Sequence, residues 1–316
     1  MNVLSLFDGI ACCRIALERA DIEVNNYYAS EIEKSSITVA LNNYPDIIQV
    51  GDIRNLNPDD FHNIDLITFG SPCTNFSIAG KGQGMITKNK IVINSLEKYM
   101  YYKNQQFKFE GQSYLFWEAV RLLKAIKPKY FLMENVNMAD NWKSIITQTL
   151  GVQPVEINSN LVSAQNRKRL YWTNIPNITQ PQNKNIVLQD ILECNKDWNK
   201  ATIVGRRLNE SGHREDYNKS IPISQCLEVR ASNIHKSNCL TTVDKDNVLT
   251  PLSVGRHKDA FKNNLPFRYY TRLEYERLQT LPDNYTKSIS ESLAKKAIGN
   301  AWTVDVIKHI FSFIPN

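Results

Sequence analysis

Over the first 135 residues, short apolar runs alternate with stretches of helical periodicity, and this rhythm restricts the fold more than any other feature. Residues 3–7, 27–30, 47–50, 64–69 and 130–133 are apolar runs of strand length. Residues 13–20 and 34–42 carry helical patterns, the second ending before Pro45. Residues 112–126 set Leu115, Phe116, Ala119, Leu122, Leu123 and Ile126 at helical spacing and stop at Pro128. Strands separated by helices pair in parallel through crossover connections. The pattern therefore predicts an α/β, Rossmann-like domain, with a mostly parallel sheet and helices on both faces.

Sheets of this kind bind ligands beyond the carboxyl ends of their strands. Phe7-Asp8-Gly9, Glu31, Asp52, Gly70-Ser71-Pro72-Cys73 and Glu134-Asn135 all fall where a predicted strand ends, so these sites should gather along one rim. Glu31 lies 22 residues beyond Gly9, near the spacing at which an acidic side chain meets ribose hydroxyls. A solvated turn is the bland reading of each site; together they describe a nucleoside pocket.

The character changes after about Trp172. Residues 174–265 are polar and strand-poor in pattern, with 13 Lys plus Arg against 10 Asp plus Glu. Helical regularity returns at Thr271, where Thr271-x-x-Glu274 forms a capping box, and a last helix is expected over roughly 292–313. The expected organisation is a first domain over 1–175, an insert over 176–267, and a return into the first domain over 268–316. Residues 80–111, in the stretch that follows Cys73, lack a clear core pattern and read as a long loop, of the kind that is usually a functional lid or disordered.

The chain of 316 residues contains no apolar run long enough to span a membrane, and a cytoplasmic protein is the default expectation. None of its six cysteines forms a Cys-x-x-Cys pair and no His stands near them at zinc-ligand spacing, so reduced thiols and no metal are expected. A net charge of +6 permits a polyanionic partner without requiring one.

A lone Cys after Pro is usually a small buried hydrophobe. Cys73 becomes a candidate nucleophile only if it is partly exposed near cations, a setting Arg167 and Arg169 could supply. Glu134 has the bland reading of a helix cap. The sharper one is a buried carboxyl that holds its proton and donates it to substrate. In Gln165-Asn166-Arg167-Lys168-Arg169, extended backbone would turn Gln165, Arg167 and Arg169 to one side.

With these residues in view, the chain resembles the DNA cytosine-5 methyltransferases over nearly its full length. Phe7-Asp8-Gly9 resembles the family's cofactor turn, and Ser71-Pro72-Cys73 with Phe76-Ser77 its nucleophile loop. Glu134-Asn135-Val136 and Gln165-x-Arg167-x-Arg169 match two further signatures, and Arg272…Glu276-Arg277-Leu278-Gln279…Pro282 resembles the motif that supports the recognition domain. Gly299-Asn300-Ala301 resembles the C-terminal cofactor motif. Residues 4–11 and Ala29-Ser30-Glu31 look like the animal de novo enzymes, while the compact layout looks like bacterial or phage modification enzymes. The chain departs from the pattern at Ala11 and Cys12, where glycine is usual, at Thr74-Asn75, and at Trp302-Thr303-Val304.

The resemblance implies methyl transfer from S-adenosylmethionine, yielding S-adenosylhomocysteine, to C5 of a cytosine flipped out of double-stranded DNA. Catalysis would fall to Cys73, Glu134, Arg167 and Arg169. Cofactor contacts would come from Phe7, Asp8, Gly9, Ile10, Glu31, Asp52, Ile53, Pro72, Leu115, Asn300 and Ala301. The insert would be a target-recognition domain, with Ser77, Lys81, Arg206, Arg207, Arg214, Arg230 and Arg256 as candidate DNA contacts. A monomer that touches no membrane is implied, with a cognate restriction endonuclease acting separately. An RNA cytosine-5 methyltransferase and a catalytically inactive DNA-binding homologue are the competing readings.

Overall fold

The computed structural model describes residues 1–73, 76, 84–193, 197–229, 235–252 and 266–315. They form two compact units: Met1–Asn158, Lys168–Pro181 and Val306–Asn316 in the first, Ser159–Arg167 and Gln182–Asp305 in the second.

The first unit contains β1 (Asn2–Leu6), α1 (Cys12–Arg19), β2 (Asn26–Ser30), α2 (Lys34–Asn43), β3 (Ile48–Gln49), β4 (Leu66–Phe69), α3 (Leu96–Asn104), α4 (Phe116–Ile126), β5 (Tyr130–Asn135), α5 (Asp140–Leu150), β6 (Val155–Asn158) and β7 (Lys168–Thr173). Its sheet runs β3-β2-β1-β4-β5-β7-β6. The five strands from β3 to β5 are parallel, and β7 joins β5 and β6 antiparallel. From β1 the chain first winds outward to β2 and β3, then crosses back to β4. This reversal opens a crevice at the carboxyl ends of β1 and β4, where such sheets bind ligands. Leu4, Ile67, Phe69, Trp117, Leu122, Met133 and Trp172 are fully or almost fully buried in the core. The apolar face of α4 meets that core, and Lys127 ends the helix in left-handed backbone before Pro128.

The stretch after Cys73 is not the patternless loop that its sequence suggests. Of its described part, Ile86 bridges Val92, Thr87 bridges Phe109, and α3 is N-capped by Ser95, whose hydroxyl accepts from the Lys98 N–H at 3.2 Å. Met85, Ile86, Ile93 and Tyr99 enter the main core. The burial is carried by scattered single residues and by aromatic pairs such as Tyr99–Phe109, with ring centroids 5.1 Å apart. No helical or alternating period marks such a pattern.

The second unit contains α6 (Leu188–Ile191), β8 (Trp198–Arg207), β9 (Ile223–Glu228), β10 (Val248–Pro251), β11 (Arg268–Tyr269), α7 (Arg272–Leu278) and α8 (Glu291–Asn300); α9 (Val304–Phe311) follows. The region read as strand-poor holds an antiparallel sheet ordered β11-β10-β8-β9. Its core is small, with Ala201, Leu227, Val229 and Val248 at its centre, so few positions are apolar and the alternation is faint. The capping box forms as expected: Thr271 Oγ1 accepts from the Glu274 N–H at 3.2 Å, and Glu274 accepts from the Thr271 N–H at 2.9 Å.

The single last helix expected over 292–313 is two helices, broken at Ala301-Trp302-Thr303. Ala301 is extended, and its carbonyl accepts from Arg167 at 3.1 Å and from Gln279 at 3.0 Å. Side chains thus take up the carbonyl that a continuous helix would have paired.

Candidate active site

The turn after β1 is built on left-handed backbone. Phe7, Gly9 and Ala11 have φ of 56°, 62° and 61°. At Phe7 and Ala11 this conformation disfavours a side chain, so the turn is held by its bonds to the neighbouring strand. The Asp8 N–H donates to the Ser30 carbonyl at 3.2 Å, and the Gly9 N–H donates to Glu31 Oε2 at 2.8 Å. Glu31 Oε1 also accepts from the Ile32 and Glu33 N–H groups, at 2.7 and 2.8 Å. The carboxylate at the end of β2 is therefore fixed by three backbone donors.

Asp8 is buried beneath this turn. Tyr27 Oη donates to its Oδ1 at 2.6 Å, while Oδ2 is buried with no hydrogen-bond partner. Burial pushes the Asp8 carboxyl up to about 7, against the pull of the Ser5 and Tyr27 hydroxyls, and the nearby Glu31 charge adds to the rise. Asp52 shows the opposite effect. Its hydrogen bonds from the Arg54 side chain hold it below the usual carboxylate range. The Arg54 N–H also donates to Asp52 Oδ1 at 2.9 Å, and Ile53 between them is buried.

Side chains at Gly9 or Gly51 would meet nothing within 4 Å, so both turns border open space. Anchored carboxylates, two open glycine turns and a buried carboxyl make a cradle that suits a nucleoside. Ile10 is buried, Phe7 is half-buried, and half-buried Leu115 immediately precedes α4.

Pro72 and Cys73 follow β4 on the same edge, both half-buried, and the Cys73 carbonyl accepts from the Phe76 N–H at 2.9 Å. Their turn is fastened from two sides. Asn135 Nδ2 donates to the Ser71 carbonyl at 3.2 Å, and Ser113 Oγ donates to the Pro72 carbonyl at 3.1 Å. No sequence pattern marks Ser113, and Asn135 was legible only as the neighbour of Glu134. The described cysteines are all thiols.

Glu134, 9% exposed, lies near the end of β5. Antiparallel pairing sets Asn135 opposite Leu170 of β7, which brings Arg169 alongside, and Arg169 Nε lies 3.0 Å from Glu134 Oε1. The rim of the first unit thus carries Asp8, Glu31, Asp52, Cys73 and Glu134 at the carboxyl ends of parallel strands, with Arg169 supplied by the amino end of the antiparallel β7. Among the described residues, no group of His, Cys, Asp and Glu could hold a metal ion.

Gln165 and Arg167 do not share the surroundings of Arg169, although alternation predicts a common side. β7 begins only at Lys168, and both residues belong to the second unit. Gln165 is fully buried and bonds Leu278, Gln279 and Leu240. Arg167 is 5% exposed and donates to the carbonyls of Leu240 at 3.1 Å, Gly299 at 3.4 Å and Ala301 at 3.1 Å. A Cβ on Gly299 would stand 2.5 Å from the Thr241 carbonyl oxygen. Arg167 and the bare Gly299 therefore bind the segment at Leu240 to the one at Ala301. Asn300 is exposed at the end of α8.

Three candidate DNA contacts are committed within the second unit. Arg206 pairs with Glu228 at 2.6 Å and with Asp216 at 3.6 Å, Arg214 pairs with Asp216, and Arg207 donates to the Ile221 carbonyl. Ser77, Lys81, Arg230 and Arg256 lie outside the described residues.

Known proteins resemble this chain in sequence and in fold. The chain is 27% identical to the Type II methyltransferase M.NgoBV of Neisseria gonorrhoeae over 248 residues, covering 70% of this chain and 53% of that one. It is 28% identical to M1.ScrFI of Lactococcus lactis subsp. cremoris over 330 residues, covering 98% of this chain and 76% of that one. The chain thus spans about half the length of the first relative and three quarters of the second. In fold it resembles the S. pombe Dnmt2 methyltransferase, with a TM-score of 0.62 at 19% identity, covering 99% and 97% of the two chains. The Entamoeba histolytica methyltransferase EhMeth gives 0.67 at 16%, covering 99% and 97%. The family model for C-5 cytosine-specific DNA methylases matches residues 1–316, and the chain belongs to that family.

Proposed function

We propose that this protein methylates C5 of cytosine in duplex DNA at a particular sequence, through a covalent adduct between Cys73 and C6 of the base. The observation that carries the reading is the Glu134–Arg169 pair, 3.0 Å apart at the rim that also holds Cys73. N3 and O2 of a cytosine are neighbouring atoms, and a carboxyl and a guanidinium this close can grip both at once.

In this reading the Cys73 thiolate adds to C6, the Glu134 carboxyl gives a proton to N3, and Arg169 holds O2. Electron density pushed into the ring then makes C5 nucleophilic. S-adenosylmethionine, when bound, supplies the methyl group. Loss of the C5 proton to water, return of the N3 proton to Glu134 and departure of the Cys73 sulfur as thiolate restore the aromatic ring and leave S-adenosylhomocysteine. Phe7, Asp8, Gly9, Ile10, Glu31, Asp52, Ile53, Pro72 and Leu115 would hold that cofactor, and the Gly9 and Gly51 turns leave space beside them. Asn300 and Ala301 are proposed to take part as well. Arg167, committed to backbone carbonyls, acts as a positioning residue for the segments it binds. The target base must leave the helix to reach a thiol at the foot of a strand, at a cost of a few kcal/mol. We further propose a cytoplasmic monomer, whose second unit reads the sequence and whose cognate endonuclease acts separately.

Replacing the C5 hydrogen of the target by fluorine removes the proton that must leave, so the adduct should persist. Wild-type protein with S-adenosylmethionine and 5-fluorocytosine duplex should give a band of protein plus DNA on a denaturing gel, and Cys73→Ala should give none and transfer no methyl group. An adduct in Cys73→Ala, or methylation of transfer RNA in place of the duplex, would overturn the proposal.

A further inference from the structure

The segment between the nucleophile turn and α4 carries more positive charge than its fold requires. Residues 84–112 hold five lysines against two glutamates. Among the described residues Lys103 is the lysine of this segment that is ion-paired, to Glu118 beneath it. Lys88, Lys90 and Lys108 are exposed. Lys88, Asn89, Gln105, Gln106, Phe107 and Lys108 line an open cleft of ≈ 390 Å³.

The backbone under this cleft is firmly built. The Lys88 N–H donates to the Lys108 carbonyl at 2.8 Å, Glu110 N–H to Ile86 at 2.9 Å, and Lys90 N–H to Thr87 at 3.0 Å. Met85, Ile86 and Ile93 anchor it in the core that also holds Phe69 and Met133. The lysines are thus presented from a fixed frame, in contrast to the arginines of the β8–β9 hairpin, which carboxylates and carbonyls already occupy.

We infer that Lys88, Lys90 and Lys108 form a phosphate shelf for the backbone of duplex DNA, attached to the unit that carries Cys73 and distinct from the elements that read sequence. Two ammonium groups flanking side-chain amides suit a row of phosphodiester oxygens and offer nothing specific to a base edge. The inference rests on the proposed action on duplex DNA. Contacts of this kind raise affinity for every sequence alike and release counterions when they form, so their signature is salt dependence.

The test compares wild type with K88A/K90A/K108A by fluorescence anisotropy, on a duplex that the protein methylates and on an unrelated duplex, between 50 and 200 mM salt (concentrations of the order at which phosphate contacts are read). The slope of log affinity against log salt should shrink by about 2–3, roughly 0.9 per lost contact, equally on both duplexes. K88R/K90R/K108R should keep the wild-type slope. K124A/K129A, which removes exposed lysines elsewhere on the first unit, should keep it too. Unchanged binding of S-adenosylhomocysteine by the triple variant would show that it is folded. An unchanged slope in K88A/K90A/K108A, or a slope reduced on transfer RNA but not on duplex DNA, overturns the shelf alone. A wild type that binds no duplex overturns it together with the reading on which it rests.

Discussion

Asp8 and Glu31 end adjacent strands, yet their surroundings treat them in opposite ways. Three backbone N–H groups hold the Glu31 carboxylate, whereas Asp8 is buried and receives no backbone donor among the described residues, the Tyr27 hydroxyl donating to its Oδ1. The Asp8 carboxyl is raised from 3.8 to about 7 by burial. Between those values the folded chain binds a proton that the unfolded chain has released, so this group's contribution to stability falls as pH rises from about 4 to about 7. Asp8→Asn keeps an oxygen for Tyr27 and carries no charge at any pH. Its melting temperature relative to wild type should therefore rise between pH 5 and pH 8, by several degrees at the upper end (~2–4 °C for each kcal/mol of relieved burial). A difference that does not change with pH would show that Asp8 does not titrate in this window. The sequence showed that Asp8 follows a strand and precedes a glycine. It could not show the Tyr27 hydroxyl beneath it, because that contact depends on β1 and β2 lying side by side.

Glu118 does for a pair of elements what Asp8 does for one turn. Its side chain is fully buried on α4, where it accepts from Tyr99 Oη at 2.6 Å, pairs with Lys103 on α3, and pairs with Arg121 at 2.8 Å. Arg121 in turn donates to the Leu56 carbonyl at 2.9 Å. Glu118→Ala would leave a guanidinium and a phenol without their acceptor in the interior, which typically costs about 3–5 kcal/mol. Urea denaturation should show the loss as a lower midpoint, and a change below about 1 kcal/mol would mean that water replaces the carboxylate. Elements driven by period, β1 to β5 with α1, α2 and α4, were legible to within a few residues, since each buries one face against the same sheet. α3 was not, because it contributes Tyr99 as its buried residue and its polar network lies across an intervening stretch of sequence. The break between α8 and α9 was hidden for a similar reason. Gln279 and Arg167, which hold the Ala301 carbonyl, are distant in sequence.

At the scale of the molecule, the proposed function divides chemistry and reading between the two units. The rim residues were legible because a parallel sheet gathers strand ends by geometry, whereas the second unit has no such rule and composition alone nominated its arginines. The structure turns attention to what those arginines support. The turn between β8 and β9 is braced internally. Asn209 accepts from the His213 N–H at 2.9 Å and donates to Glu215 at 2.8 Å; Asn218 donates to Glu215 at 3.2 Å, and the Arg207 N–H donates to Asp216 at 3.1 Å. On this frame Tyr217 is 82% exposed. A large aromatic ring carried on a braced turn loses little entropy when it meets a partner, because the backbone beneath it is already ordered. If the second unit reads the sequence, as proposed, the exposed Tyr217 ring is placed to be tested as one of its base contacts. Tyr217→Ala should then reduce the ratio of kcat/KM between target and unrelated duplexes by roughly tenfold, on the order of the ~1–3 kcal/mol of one base contact. Because the ring carries no charge, the salt slope should stay at its wild-type value, and the substitution would thereby separate from removal of Lys88, Lys90 and Lys108. Equal losses on both duplexes would assign Tyr217 to general affinity instead, and would move sequence reading to another part of the second unit.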